Sequence, residues 1–113
     1  MTVEMKLNTA PFFQIKNGEK TLELRLFDEK RRKLSVGDVI VFSRREEPSE
    51  TVAACVVALH CYPTFAALFA TPLFAKCGWG SATPAKAVQL MRQYYSESEE
   101  TAYGVLGIEI KLL

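Results

Sequence analysis

The sequence predicts an α+β domain, a small mixed β-barrel of about five strands with three or four short helices. Three observations point to it. Five segments read as strands by alternation or by β-branched content. The helical segments are short and lie between them, and no βαβ repetition or internal repeat orders the chain into a parallel sheet. At 113 residues, the chain suffices for one core and so for one domain, residues 1–113. Closing the sheet toward a barrel would leave few open edges.

TVEMKL opens the chain as a strand. NTAPFFQIKNG follows as a short helix: Asn8 or Thr9 caps it, Pro11 suits its first turn and Asn17-Gly18 its end. Phe12 and Ile15, three apart, face the core. Gly18 turns the chain into a strand over about residues 20 to 27. DEKRRK, 28 to 33, is a charged connection, read either as a solvated loop or as a phosphate-facing rim. In VGDVIVF, 36 to 42, a Gly37-Asp38 turn precedes a third strand. SRREEPSE is a polar hairpin-like loop. TVAACVVALHCY, 51 to 62, is a fourth strand, buried on both faces for part of its length. Thr64 caps a helix over 65 to 70, which Thr71-Pro72 ends. Thr83-Pro84 opens a clearer helix, about 84 to 95, with Ala87, Val88, Met91, Tyr94 and Tyr95 as its apolar stripe. Ser96 with Glu99 makes a capping box for one further turn. GVLGIEIKLL closes the chain as a strand with Leu106, Ile108, Ile110 and Leu112 on one face.

Composition narrows the function. A net charge of +1 is too small for a protein that tracks many phosphates of a duplex, so any nucleic-acid partner is gripped at one or a few nucleotides. No apolar run reaches the roughly 20 residues of a membrane span, and the start lacks the pattern of an export signal, so a cytoplasmic protein is expected. Cys55, Cys61 and Cys77 form no C-x-x-C, and His60 beside Cys61 lacks partners at zinc spacing. No metal and no cofactor are expected.

The stretch NGEKTLELRLF carries the candidate site. Strand geometry sends Leu22, Leu24 and Leu26 one way and Thr21, Glu23 and Arg25 the other. Glu23 and Arg25 then stand about 7 Å apart on one face, close enough to share a ligand or to pair. Lys20 enters just after Gly18, where a turn can aim its amine at the same face. On pattern alone the stretch reads first as a charged, solvated sheet face.

GEKTLELR resembles the G-x-K-x-x-E-x-R signature of the ASCH domain, a branch of the PUA-like superfamily, with Gly18, Lys20, Glu23 and Arg25 on signature positions. VGDVIVF and the closing strand YGVLGIEIKL are also similar to PUA-like barrels. The resemblance implies a PUA-like barrel with a cleft between barrel and helices, where these residues gather, and binding of RNA or nucleotides. One branch of the family removes the acetyl group of N4-acetylcytidine with a lysine, a threonine and a glutamate. Its lysine falls on Lys20, but its threonine falls on Glu23, with Thr21 two residues early, and KCGWGSATP offers no carboxylate for its glutamate. Another branch has ribonuclease activity, matched here only at the lysine.

Chemistry supports a binding role for these residues. Glu23 can accept from an exocyclic amine such as that of cytosine, Arg25 suits a phosphate or carbonyl edge, and Lys20 suits phosphate. Trp79, between two glycines, is the first candidate for stacking a base and Tyr103 the second, packing being the alternative for both. The leading expectation is therefore an RNA- or nucleotide-binding domain whose ligand set is Gly18, Lys20, Thr21, Glu23, Arg25, Trp79 and Tyr103. On this reading Glu23→Ala removes binding without unfolding the chain. The second expectation is a hydrolase using Lys20 with Glu23 as general base. The third is an interaction module presenting Phe65, Phe69 and Phe74 to a partner, the chain itself being a monomer or weak dimer.

Overall fold

A computed structural model describes all residues, 1–113. The elements run β1 (Thr2–Leu7), α1 (Thr9–Lys16), β2 (Leu22–Leu26), β3 (Val39–Arg44), β4 (Glu47–Tyr62), α2 (Phe65–Phe69), α3 (Pro84–Met91), α4 (Glu97–Tyr103) and β5 (Val105–Leu112). Single 3-10 turns occupy Arg31–Lys33 and Pro72–Lys76. The sheet order is β1-β3-β4-β5-β2, with β1 parallel to β3 and every other pair antiparallel. It is a curled half-barrel with four helices, as the α+β, PUA-like reading requires. Its two outer strands, β1 and β2, share no ladder.

Two cores lie on the two faces of this sheet. The inner one joins Phe12 and Ile15 of α1 to Ile40, Phe42, Leu106 and Ile108. The outer one packs Leu22, Leu24 and Leu26 against α2 and α3 through Phe65, Leu68, Ala87 and Met91. β5 feeds both cores, Val105 the outer and Leu106, Ile108 and Ile110 the inner, whereas the three leucines of β2 all join the outer one. Gly107 allows the approach: a Cβ there would stand 3.1 Å from Leu22 and 3.2 Å from Leu68.

Caps follow the side-chain chemistry. Thr64, Thr71 and Thr83 accept from the N–H groups of the turns they precede, and Ser96 and Glu99 exchange the two bonds of a capping box. At α1 the cap residue is Asn8, whose side chain makes no capping bond.

Several expectations are corrected. β4 starts at Glu47, so the hairpin connection is only a tight turn at Arg45-Glu46. Its apolar run is buried on one face, at Ala54 and Val56, while Val57 is exposed beside a bulge between Val56 and Ala58. On the outer face Tyr62, at the strand's end, packs against the core formed with α2 and α3. α3 stops at Met91, because Ser96 must be extended to cap α4, and Tyr94 falls in the intervening turn. α4 is two turns long, and Leu112 is exposed at the strand end. Phe65 and Phe69 are core residues, 0% and 2% exposed, and Phe74 packs against the same cluster, so no phenylalanine patch is presented. No helix is long and apolar enough to cross a membrane.

Candidate functional site

The polar side of β2 is not a solvated face. Glu23 is 4% exposed and Lys20 9%, and these are two of only four buried charged residues. Lys20 Nζ stands 3.0 Å from Glu23 Oε1. Arg25 donates to Glu23 Oε2 from both Nε, at 3.0 Å, and Nη2, at 2.9 Å. One carboxylate is thus clamped between two cations, a lysine on one oxygen and a planar fork on the other. Arg25 Nη2 also donates to the Lys6 carbonyl, 3.1 Å away, across the gap between β2 and β1. Burial pushes the Glu23 carboxyl up, but the charges and hydrogen bonds of Lys20 and Arg25 outweigh it and hold the group below its ordinary value.

These residues sit at the bottom of a cleft of about 340 Å³, between the open seam of the half-barrel and the helical layer. One side comes from the start of α1, with Asn8, Ala10 and Pro11; the other from Cys77, Gly78 and Trp79 and from Tyr94 and Tyr95. The second wall is locked to the first. Gln14 donates to the Gly78 carbonyl at 3.0 Å, and the Lys20 N–H donates to the Gln14 carbonyl at 3.0 Å. Gly78 has φ +80, and a Cβ there would lie 3.0 Å from Gln14 Oε1 and 3.1 Å from Lys20 Cβ. Only glycine fits.

Charge is concentrated here. Lys6, Lys20, Arg25 and Arg45 line the cleft against the single carboxylate of Glu23; four positive charges against one negative leave +3, whereas the whole chain carries +1. Lys6 and Arg45 are exposed at the rim and have no carboxylate partner. Burial pushes the Cys77 thiol up to about 12, so it lines the cleft as an un-ionised, weak donor to the Leu73 carbonyl. Burial likewise raises Tyr95, whose ring stacks on Phe65 at 5.9 Å, so its phenol stays neutral.

The structure brings Lys20, Glu23, Arg25 and Trp79 to this cleft. Trp79 meets Phe69 edge to face at 6.1 Å, and its indole N–H is buried without an acceptor. Gly18 and Thr21 lie instead on a second depression, beside Ile110 and Leu112, which shares only Lys20 with the cleft. Thr21 is held there by its backbone, donating to the Lys76 carbonyl and accepting from the Ile110 N–H. Tyr103 is exposed at the end of α4 and does not line the cleft. Sequence reasoning missed Lys6, Asn8, Gln14, Arg45, Gly78 and Tyr94. The one available signal was the tyrosine pair just past α3, which was assigned to a helix stripe. No group of three or more His, Cys, Asp or Glu residues could hold a metal ion.

Comparison with known proteins agrees with this architecture. The ASCH domain family model matches residues 5–113, and the chain belongs to that family, which is associated in general with RNA binding. The crystal structure of hypothetical protein PH0355 is similar at 32% identity with a TM-score of 0.88, over 100% of both chains. The solution structure of protein PF0455 from Pyrococcus furiosus is 33% identical, TM-score 0.79, over 100% of this chain and 98% of that one. The ASCH protein from Zymomonas mobilis shares the fold at 14% identity and a TM-score of 0.66, over 96% of this chain and 65% of that one. No curated protein matches.

Proposed function

We propose that this ASCH domain binds RNA or nucleotides one unit at a time, with Lys20 and Arg25 meeting the ligand. The observation that carries the reading is the +3 balance around one concave space in a molecule of net charge +1. The volume of about 340 Å³ sits at the small end of ligand sites, which run from roughly 300 to 1,000 Å³, and suits a single nucleotide rather than a duplex. Trp79 and Tyr94 supply aromatic surface on which a base can stack.

The geometry favours a division of labour that differs from the one expected of the sequence. Both oxygens of Glu23 are engaged by cations, Lys20 on one and Arg25 on the other, so a cytosine amine would have to displace one of them. Glu23 therefore serves as the residue that keeps Lys20 and Arg25 extended and fixed. The hydrolase reading has less support. A carboxylate held below its ordinary value is a weak base, and an un-ionised Cys77 is no nucleophile.

Chemical-shift titration with nucleoside 5′-monophosphates and short single-stranded RNA tests the proposal. Shifts are expected at residues 20–25, 77–79 and 94–95, with Gly18 and Tyr103 unmoved. Lys20→Ala is expected to weaken binding about tenfold, the worth of one charge-assisted hydrogen bond. Absence of response in the cleft to every member of the panel would end the reading.

A further inference from the structure

We infer that the cleft is anchored on a terminal phosphate, a phosphomonoester at the end of a nucleotide or RNA strand, rather than on an internal phosphodiester or on the base. The inference rests on the cleft being the ligand site proposed above.

The donor inventory carries it. Lys20 offers three N–H groups and has one partner, Glu23; Arg25 offers five and spends those of Nε and Nη2, leaving Nη1 free. With Glu23 engaged on both oxygens, the charged groups on the cleft floor have only donors to offer. Lys20 is about nine-tenths buried, so a charge placed beside it is poorly screened. Lys6 and Arg45 add two unpaired cations at the rim. The start of α1, whose Asn8 makes no capping bond, borders the same space.

The match is one of charge and valence. A phosphomonoester carries about −1.5 to −2 at neutral pH and three acceptor oxygens. An internal phosphodiester carries a single charge, and a nucleoside carries none. Against a site of +3 whose free ionic groups only donate, the monoester satisfies most.

Calorimetry compares a nucleoside, its 5′- and 3′-monophosphates, inorganic phosphate, and a dinucleotide with and without a 5′-phosphate. The monophosphates are expected to bind at least about tenfold tighter than the nucleoside, and the phosphorylated dinucleotide than its unphosphorylated twin. Their affinity is expected to fall severalfold from pH 7.5 to 5.5, because the second phosphate ionisation lies near 6. The titratable groups facing the site are Glu23, Lys6, Lys20, Arg25 and Arg45, with Cys77 and the two tyrosines; none is a histidine, so the change reports the ligand. Arg45→Ala, on the exposed rim, should narrow the gap between monophosphate and nucleoside, while Lys86→Ala on α3 leaves it unchanged. Equal binding of nucleoside and monophosphate overturns the phosphate anchor and leaves nucleoside recognition standing. Inorganic phosphate binding as tightly as the nucleotides upholds the anchor and overturns base recognition. If nothing binds, both fall.

Discussion

Arg25 donates to the Lys6 carbonyl at 3.1 Å and so joins β2 to β1 across the gap that no ladder closes. The same guanidinium clamps Glu23, so one side chain fastens the barrel and shapes its cleft.

Arg25→Lys keeps the charge and loses the fork. A lysine cannot reach both the Glu23 carboxylate and the Lys6 carbonyl in this geometry. Urea unfolding should show a loss of about 1–3 kcal/mol, and the amides around Lys6 should exchange faster. Stability within about 0.5 kcal/mol of the parent would mean that the seam bond is idle.

Glu23→Ala leaves the buried Lys20 and the partly buried Arg25 without their counter-charge. The sequence alone suggested lost binding with an intact fold; the burial of the ion group replaces that with a stability cost of about 3–5 kcal/mol. Acid should act through the same carboxyl. Its folded pKa lies below the ordinary 4.5, so its contribution is full above that value and is lost as pH falls through the folded one. Melting followed from pH 7 to 3 should decline below about 4.5, less steeply in Glu23→Gln, because that part of the decline is absent. A variant whose acid profile overlaid that of the parent would show Glu23 to be unimportant there.

The three cysteines should separate by environment. Cys61 is exposed, Cys55 half-buried and Cys77 buried, its thiol pushed up to about 12. A chromogenic disulfide reagent at pH 8 should consume Cys61 first and reach Cys77 only on unfolding. Rapid modification of Cys77 in the native protein would contradict the packing of the cleft wall.

Gly78→Ala should strain the wall at φ +80 and press a methyl toward Gln14 and Lys20. A loss of about 1–3 kcal/mol is expected, with chemical-shift changes at Lys20. An alanine variant as stable as the parent, with Lys20 unmoved, would refute the account of that interlock.

Local chemistry was legible in the sequence. Alternation located β2 and β5, the Ser96–Glu99 spacing gave its capping box, and the G-x-K-x-x-E-x-R run gave the ionic floor of the cleft. What escaped was assembled at a distance. Lys6, Arg45 and Tyr94 share one space only because β1 and β2 end up as the two unpaired edges, and no short-range pattern encodes that. Tyr103 was chosen for its chemistry, yet the end of α4 points it to solvent. The ionic face of β2 looked solvated because alternation marks the side a residue takes, not whether a second core covers that side.

The placement of charge has a consequence for how the molecule meets a polyelectrolyte. Removing the +3 of the cleft from the total of +1 leaves the rest of the molecule at −2, so the cationic excess of the chain resides in the cleft lining. On the proposed function, such a molecule would dock by orientation and read one unit of a strand instead of sliding along it. The logarithm of its affinity for single-stranded RNA should therefore fall with that of salt at a slope of only about −1 to −2, the signature of very few displaced counterions.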